Sequence, residues 1–513
     1  MLSSTRLVCL VALAIGFAVG CGRSELNSYA ARAGTARAGA DGAGTGAGGT
    51  SGNDASASGG HDAGGPADDA HDAGTPTDAV ASGDADARRD ATDADEARER
   101  RCEGTWPHDF QLGTKGDDQL LGLTVDGEGN VVASGFERGV VGVENIDPSG
   151  DSDAVVMKLR PDGTVLWKTG IDTSGSDTAE DVALDPLTGN LVVVGRTSGA
   201  FPSFVNQGEF DLFLALLDGG GDVLTTFQAG NERPQHPARL ALGAGGAVVV
   251  AGWDDTYTPT NYVAANQVGF VADFAIAGGP GHAVTSPPSP FQYLFPPSAL
   301  PPFSFVTDVA TDSDGARYVT SLVASNRQGP NGIFVTKTRA DHSTVWAARI
   351  SPITFDAVTA VALSPAGHLF VTGGTFNKLG ARTFGQEDAY LLEIDETTGA
   401  LLWAAQWGGP DSDYPTALAF DAHGNIYVSG ITLGSVVDGV ANQGEADVFA
   451  AKISAAGEVL SVWQGGTAAD DEATSLVVDP CGNVLVGGYT GGAFVPGQPN
   501  VGGEDMFILR AKL

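Results

Sequence analysis

One short phrase recurs seven times in this chain and governs what it can fold into. In its clearest copy, Asp421-Ala422-His423-Gly424-Asn425-Ile426-Tyr427-Val428-Ser429-Gly430, a Gly-Asn turn leads into a β-branched and aromatic run that ends on glycine. Glycine at such a turn supplies the left-handed backbone of a tight reversal, and the flanking runs read as strands. The turn glycines are Gly129, Gly189, Gly246, Gly315, Gly367, Gly424 and Gly482, at intervals of 60, 57, 69, 52, 57 and 58 residues. A period of that size marks a repeat architecture and overrides a domain count taken from length alone.

Each copy carries more than its turn. An aspartate stands eleven residues upstream in four copies (Asp118, Asp356, Asp413, Asp471), and Asp177 stands twelve upstream in a fifth. Downstream, Gly-x-x-Asp opens a third apolar run at Asp153, Asp211, Asp388, Asp447 and Asp505. A fourth run follows turns such as Pro161-Asp162-Gly163. Seven units of four short strands are what a seven-bladed β-propeller needs.

The ends of the repeat array predict how the ring closes. The seventh copy stops at Leu513 after its third strand, whereas residues 105–113 match 401–409, the fourth-strand slot of the fifth copy. The N-terminal segment is therefore expected to pair onto the last blade and remove the edges an open array would expose. Taken together, the Asp, Gly-Asn and Gly-x-x-Asp elements resemble the seven-bladed β-propeller repeat called SBBP, common in exported bacterial proteins. The resemblance covers residues 101–513 and implies a fold and an envelope location, but no activity. Copies three and four depart from the pattern, with Ala272 and Gly332 read in the aspartate slot and a proline-rich excursion over 278–302.

The preceding residues divide into two segments. Arg6 and the apolar run from Leu7 to Val19 are too short to span a bilayer and read as an export signal over 1–21. The junction Ala18-Val19-Gly20-Cys21 resembles the bacterial lipobox, which implies that Cys21 becomes a lipid-bearing N-terminus; ordinary cleavage after Gly20 is the alternative. Residues 22–100 are Ala, Gly, Asp, Thr and Ser with almost no large apolar side chain, a composition expected to stay disordered. Such a linker would reach about 50 Å. His61 and His71 within it read as spacers.

The formal net charge of −36 argues against nucleic acid and against a polybasic grip on anionic lipid. Cys102 and Cys481 are the cysteines outside the leader; they either form a disulfide fastening the ring or remain two free thiols. The aspartates recur serially, so they read as turn and crossing residues rather than as a catalytic pair or metal ligands. Asp312-Ser313-Asp314-Gly315 opens like a calcium loop but lacks the later ligands. Trp167, Trp346 and Trp403 share one fourth-strand slot and are expected to pack between blades. Asn206-Gln207-Gly208, Asn442-Gln443-Gly444 and the weaker Asn266-Gln267 read as strand-leading loops that could alternatively offer amides to a glycan.

No catalytic residue, metal site or cofactor is expected from the sequence. The long, dissimilar loops over 136–152, 198–209, 253–268 and 431–445 should share one face, where a ligand is expected. The function that fits is a lipid-anchored, non-catalytic binding or scaffolding module of the cell envelope, at the outer membrane, for protein or polysaccharide. The rival is an envelope lyase or hydrolase with its site in the axial funnel.

Overall fold

The computed structural model describes Cys102, Trp106, Pro107 and residues 109–138, then 151–258, 261–277, 283–287, 290–293, 303–324, 332–351, 356–379 and 382–513. Cys21, the expected leader and linker, and loop residues 139–150 lie outside the described residues. Seven four-stranded antiparallel blades form a ring. Blade 1 runs Asp118–Val125, Val131–Glu137, Asp153–Leu159 and Val165–Gly170; blade 2 runs Asp177–Leu184, Leu191–Thr197, Asp211–Leu217 and Val223–Ala229. Blade 5 (Ala360–Leu363, Leu369–Thr375, Asp388–Ile394, Leu401–Trp407) and blade 6 (Asp413–Phe420, Ile426–Thr432, Asp447–Ile453, Val459–Gly465) repeat this order.

The first strand of each blade touches the first strand of the next, and that of blade 7 touches that of blade 1, so these strands circle the axis. Second and third strands are flanked by neighbouring blades on both faces. Val131–Glu137, Leu369–Thr375 and Ile426–Thr432 are accordingly buried at every position, which explains why they do not alternate apolar and polar. Fourth strands have one wet face, and Leu401, Leu402 and Leu460 are exposed on them.

Blade 7 closes the ring as expected. Asp471–Val478, Val484–Thr490 and Asp505–Ala511 are joined by Phe110–Leu112, with Phe110 facing Ile508 and Leu112 facing Met506. The closing strand is shorter than residues 105–112, and Trp106 leaves it. Its φ is 47°, its N–H donates to the Pro161 carbonyl of blade 1, and its ring is buried against Leu159, Met506 and Ile508. Two further bonds cross this seam: Thr474 Oγ1 donates to the Leu120 carbonyl at 2.7 Å, and Leu123 N–H donates to Ser475 Oγ at 3.0 Å.

Blades 3 and 4 depart from the pattern. Gln235–Leu242 pairs with Ala247–Thr258, which pairs with Asn261–Ile276 in a hairpin longer than any in the regular blades. Residues 253–268, expected as a loop, are therefore largely strand. The register puts Val268 opposite Asp254, so Val268 rather than Ala272 fills the aspartate slot; Gly332 fills it in blade 4, opposite Val323. Two pieces of the proline-rich excursion, Val284–Thr285 and Phe291–Tyr293, supply blade 3 with its outer edge. Blade 4 (Phe303–Thr311, Arg317–Ala324, Gly332–Thr338, Thr344–Ser351) joins blade 3 through a parallel contact of Gln267 with Phe303.

The tryptophan slot is an inter-blade lock. Trp167 Nε1–H donates to the Gly219 carbonyl of the next blade at 3.2 Å, and a Cβ on Gly221 would lie 2.6 Å from its ring. Trp346 packs in the same way on Gly399, and Trp403 on Gly457. Thr225 and Ser461 fill the slot in blades 2 and 6. Blade 7, which follows blade 6, takes its fourth strand from Phe110–Leu112, so no third-to-fourth-strand turn lies there for an indole to cover.

Candidate functional site

First strands begin, second strands end and third strands begin on the same face, so blade crossings and long loops share it. Two sets of buried carboxylates anchor this face. In the first, Asp118, Asp177, Asp413 and Asp471 open the first strands and accept the N–H of the residue four positions earlier: Thr114, Thr173 (2.6 Å), Gly409 (2.7 Å) and Thr467 (2.5 Å). Asp356 takes bonds from Thr375 and Asn377 at the end of the second strand. Burial pushes Asp118, Asp177 and Asp471 up to about 6 and Asp413 up to about 7, against the opposing pull of these hydrogen bonds. Blade 3 exchanges the partners, with Gln235 in the aspartate slot and Asp254 where blades 2, 6 and 7 place Thr197, Thr432 and Thr490.

The second set is built around a glutamine that the sequence reading missed. Gln111, Gln228, Gln406 and Gln464 each donate to the aspartate that opens the third strand, at 2.8–2.9 Å to Asp505, Asp211, Asp388 and Asp447. The same amides accept N–H bonds from Phe494, Phe201, Leu379 and Val436 in the long loops. Each glutamine belongs to Gln-x-Gly, and the glycine leaves room for the carboxylate: a Cβ on Gly113 or Gly230 would lie 1.9 Å from an aspartate oxygen. This repeated triplet was visible in the sequence and corrects the earlier alignment by one position. Gln111 matches Gln406, so Gly113 matches Gly408 rather than Gly409.

Asn206 and Asn442 brace the loops that lead into third strands. Asn206 Nδ2 donates to the Ser198 carbonyl at 2.6 Å, and Asn442 Nδ2 donates to the Gly444 carbonyl at 2.9 Å. Asn500 is a further copy, donating to the Thr490 carbonyl. Asp312 lies on the opposite, turn face, accepting from Asp314 and Ala316 N–H and the Tyr318 hydroxyl. Among the described residues, no group of three or more His, Cys, Asp or Glu is arranged to hold a metal ion. The structure joins Cys102 to Cys481 in a disulfide, on the turn face and away from the long loops.

Some polar groupings among the described residues are not repeated around the ring. At the seam of blades 2 and 3, Arg196 Nη1 donates to His236 Nδ1 at 2.9 Å, His236 Nε2 faces Asp255 at 2.9 Å, and Arg196 Nε lies 3.1 Å from Glu180. Arginine only donates, so His236 Nδ1 accepts and its Nε2–H faces Asp255. The ring stacks on Trp253 at 5.3 Å. At the axis, Asp181, Arg239 and Asp308 come from three successive first strands. Arg239 spans to the Thr474 carbonyl of blade 7 at 3.1 Å, while Asp181 and Asp308 accept Leu240 and Val361 N–H from neighbouring blades. Burial raises both carboxyls, Asp308 to about 7, and the Arg239 charge opposes the shift. These residues are spread along the sequence without a motif, so only the fold reveals them. Glu387, buried between blades 5 and 6 beside Tyr414, is likewise pushed well above the usual carboxylate range by burial, and further by Asp356, Asp413 and Asp388.

Residues 402–435 match the family model of the β-propeller repeat SBBP. No curated protein matches the chain. Among solved structures, a luciferin-regenerating enzyme is similar at TM-score 0.35 and 13% identity, over 64% of this chain and 89% of that one. Puromycin hydrolase gives a TM-score of 0.41 at 14% identity, over 76% of this chain and 51% of the hydrolase. Sqt1 from Chaetomium thermophilum gives 0.38 at 11%, over 79% and 100%. The chain is a seven-bladed β-propeller that carries the SBBP repeat.

Proposed function

We propose that the protein is an exported propeller, lipid-anchored through Cys21 at the bacterial outer membrane, that serves as a non-catalytic binding or scaffolding module for protein or polysaccharide. The observation supporting this reading is how the serial carboxylates of the loop face are used. Those described above are bonded to backbone, threonine, asparagine or glutamine groups of the frame, as in Gln464 to Asp447 and on to Val436, whereas Asp153 is exposed. A rigid collar then displays loops that differ from blade to blade, the usual arrangement of a binding face. A thermal-shift screen of the full chain with glycans and cell-wall fragments tests it. A true ligand at a hundred times its Kd should add about 2.7 kcal/mol, and shortening Val436–Val440 should abolish the shift. Chemical turnover of the ligand would overturn the non-catalytic reading. Cys21→Ala should move the protein from the membrane fraction to the soluble one.

A second reading, an envelope lyase or hydrolase, has one observation in its favour: the singular Glu180, Arg196, His236 and Asp255 network. With its proton on Nε2, the imidazole can accept another only at Nδ1, once substrate displaces Arg196 from that nitrogen. His236→Gln would then abolish product formation while leaving ligand binding intact.

A further inference from the structure

We propose that the loop-face end of blade 3 holds a pocket for a lysine side chain of a partner protein, whose ammonium is received by Asp255 and Gln267. The inference rests on the loop face being a binding face, and it names what one part of that face grips.

In the regular blades the pairing of second with third strand ends at pairs such as Thr197 with Asp211 and Thr432 with Asp447. Blade 3 continues past the equivalent pair, Asp254 with Val268, and so sets Asp255 directly opposite Gln267. Side chains opposite one another in an antiparallel pair stand about 5 Å apart at Cβ and on the same side of the sheet. Asp255 Oδ1 and Gln267 Oε1 are both buried without a hydrogen-bond partner. Gln267 is 7% exposed, and the Asp255 side chain 15%. Two acceptors left unpaired in a buried place cost stability, and keeping them there points to a donor that arrives with a ligand.

The geometry also selects the donor. Asp255 Oδ2 already faces His236 Nε2 at 2.9 Å, which leaves a single carboxylate oxygen for a ligand. A guanidinium grips a carboxylate through both oxygens, whereas an ammonium is compact and can turn its three N–H groups to separate acceptors. A positive charge also suits the local balance, because Arg196 is already matched by Glu180 at 3.1 Å and the chain as a whole carries −36. Trp253, two residues before Asp255 and on the same side of its strand, is 5% exposed. Its ring is stacked on His236 at 5.3 Å and lies edge-to-face with Phe305 at 5.6 Å. A covered ring of this kind gives an aliphatic stem an apolar wall but gives a pyranose ring no face to lie on. Lysine is therefore favoured over an amino sugar.

The test follows the peptide Ala-Gly-Lys-Gly-Ala, blocked at both termini, against the full chain by saturation-transfer NMR. Saturation is expected at the lysine ε-methylene protons. At least a tenfold loss of affinity is expected in Asp255→Asn and in Gln267→Leu, and none in the turn-face variant Asp162→Asn. Peptides with Nε-acetyl-lysine or arginine in the same place should bind at least tenfold more weakly. Failure of the lysine peptide to bind, equal binding of the acetylated or arginine peptide, or undiminished binding in both pocket variants would overturn the pocket. Tighter binding of a glucosamine oligomer than of the peptide would overturn the choice of a protein lysine. If cell-wall glycans stabilise the chain while the lysine peptide does not bind, this inference fails and the binding-module reading stands. Gln267→Leu removes an acceptor that has no partner, so its Tm should equal or exceed that of the unaltered chain. Should Asp255→Asn melt early through loss of its bond to His236, Gln267→Leu carries the same test.

Discussion

Blades 6 and 7 have the same parts and different wiring. Blade 6 is one continuous stretch, whereas blade 7 takes its outer strand from residues nearly four hundred positions away. At the loop-face corner the two are interchangeable: Gln464, Asp447 and Gly466 in one correspond to Gln111, Asp505 and Gly113 in the other, with the glutamine-to-aspartate bond at 2.9 Å in both. At the turn-face corner they diverge. Blade 6 closes with a tight turn at Gly457, while blade 7 relies on Trp106 and the disulfide between Cys102 and Cys481. The repeat thus tolerates a chain break at a position where a turn would otherwise lie, provided the side-chain clamp at the other end is kept.

The comparison can be broken most severely by removing residues 102–112. The outer strand, Trp106 and the disulfide go together, and the expected outcome is loss of cooperative unfolding or a fall in Tm of well over 10 °C by calorimetry. Trp106→Ala alone should cost about 3–5 kcal/mol, since its ring fills the seam between blades 7 and 1. A loss at least as large is expected of Cys481→Ser. A link between residues 379 apart in sequence restricts the unfolded chain by on the order of 5 kcal/mol in the loop-entropy picture, and denaturant unfolding with and without reductant measures it.

Gln111→Leu and Gln464→Leu sharpen the comparison instead. Each strands a buried aspartate, and each should cost about 2 kcal/mol. Equal losses would establish that the split blade and the continuous one are clamped alike; a much smaller loss for Gln111→Leu would show that the seam is held elsewhere. A change of pH acts on the same seam. Asp118 and Asp471, on either side of the seam, hold their protons to about pH 6 in the folded chain but only to about 3.8 when unfolded. Between these values the native state binds more protons, so the stability these two carboxyls contribute is present in full below about pH 4 and is lost as pH rises through 6. Tm should therefore be several degrees lower at pH 8 than at pH 5, and Asp471→Asn should flatten part of that slope.

Architecture was legible in the sequence because it is written seven times. The Gly-Asn turns, the Gly-x-x-Asp starts and the missing fourth strand each follow from local chemistry that any copy displays. Gln-x-Gly is equally repeated, and matching Gln111 to Gln406 sets the closing segment one residue away from the register that pairs 105–113 with 401–409. Blade 3 misled for a different reason. Residues 253–268 have loop-like composition, but their backbone groups find partners across a long hairpin, and only the register reveals Val268 opposite Asp254. The Arg196–His236–Asp255 network and the axial Asp181, Arg239 and Asp308 occur once each. Their members lie many residues apart and on different blades, so no spacing rule could have gathered them.

The covalent link at Cys102 also decides how the ring bears load. Tension applied to the chain ahead of Cys102 passes through the sulfur atoms into the hairpin turn at Cys481, bypassing Trp106 and the three-residue closing strand. The hydrogen bonds of that strand would otherwise be unzipped one after another from Phe110 onward. Under reducing conditions the same pull would act on the weakest staple of the ring, so the propeller's resistance to mechanical opening should depend on redox state.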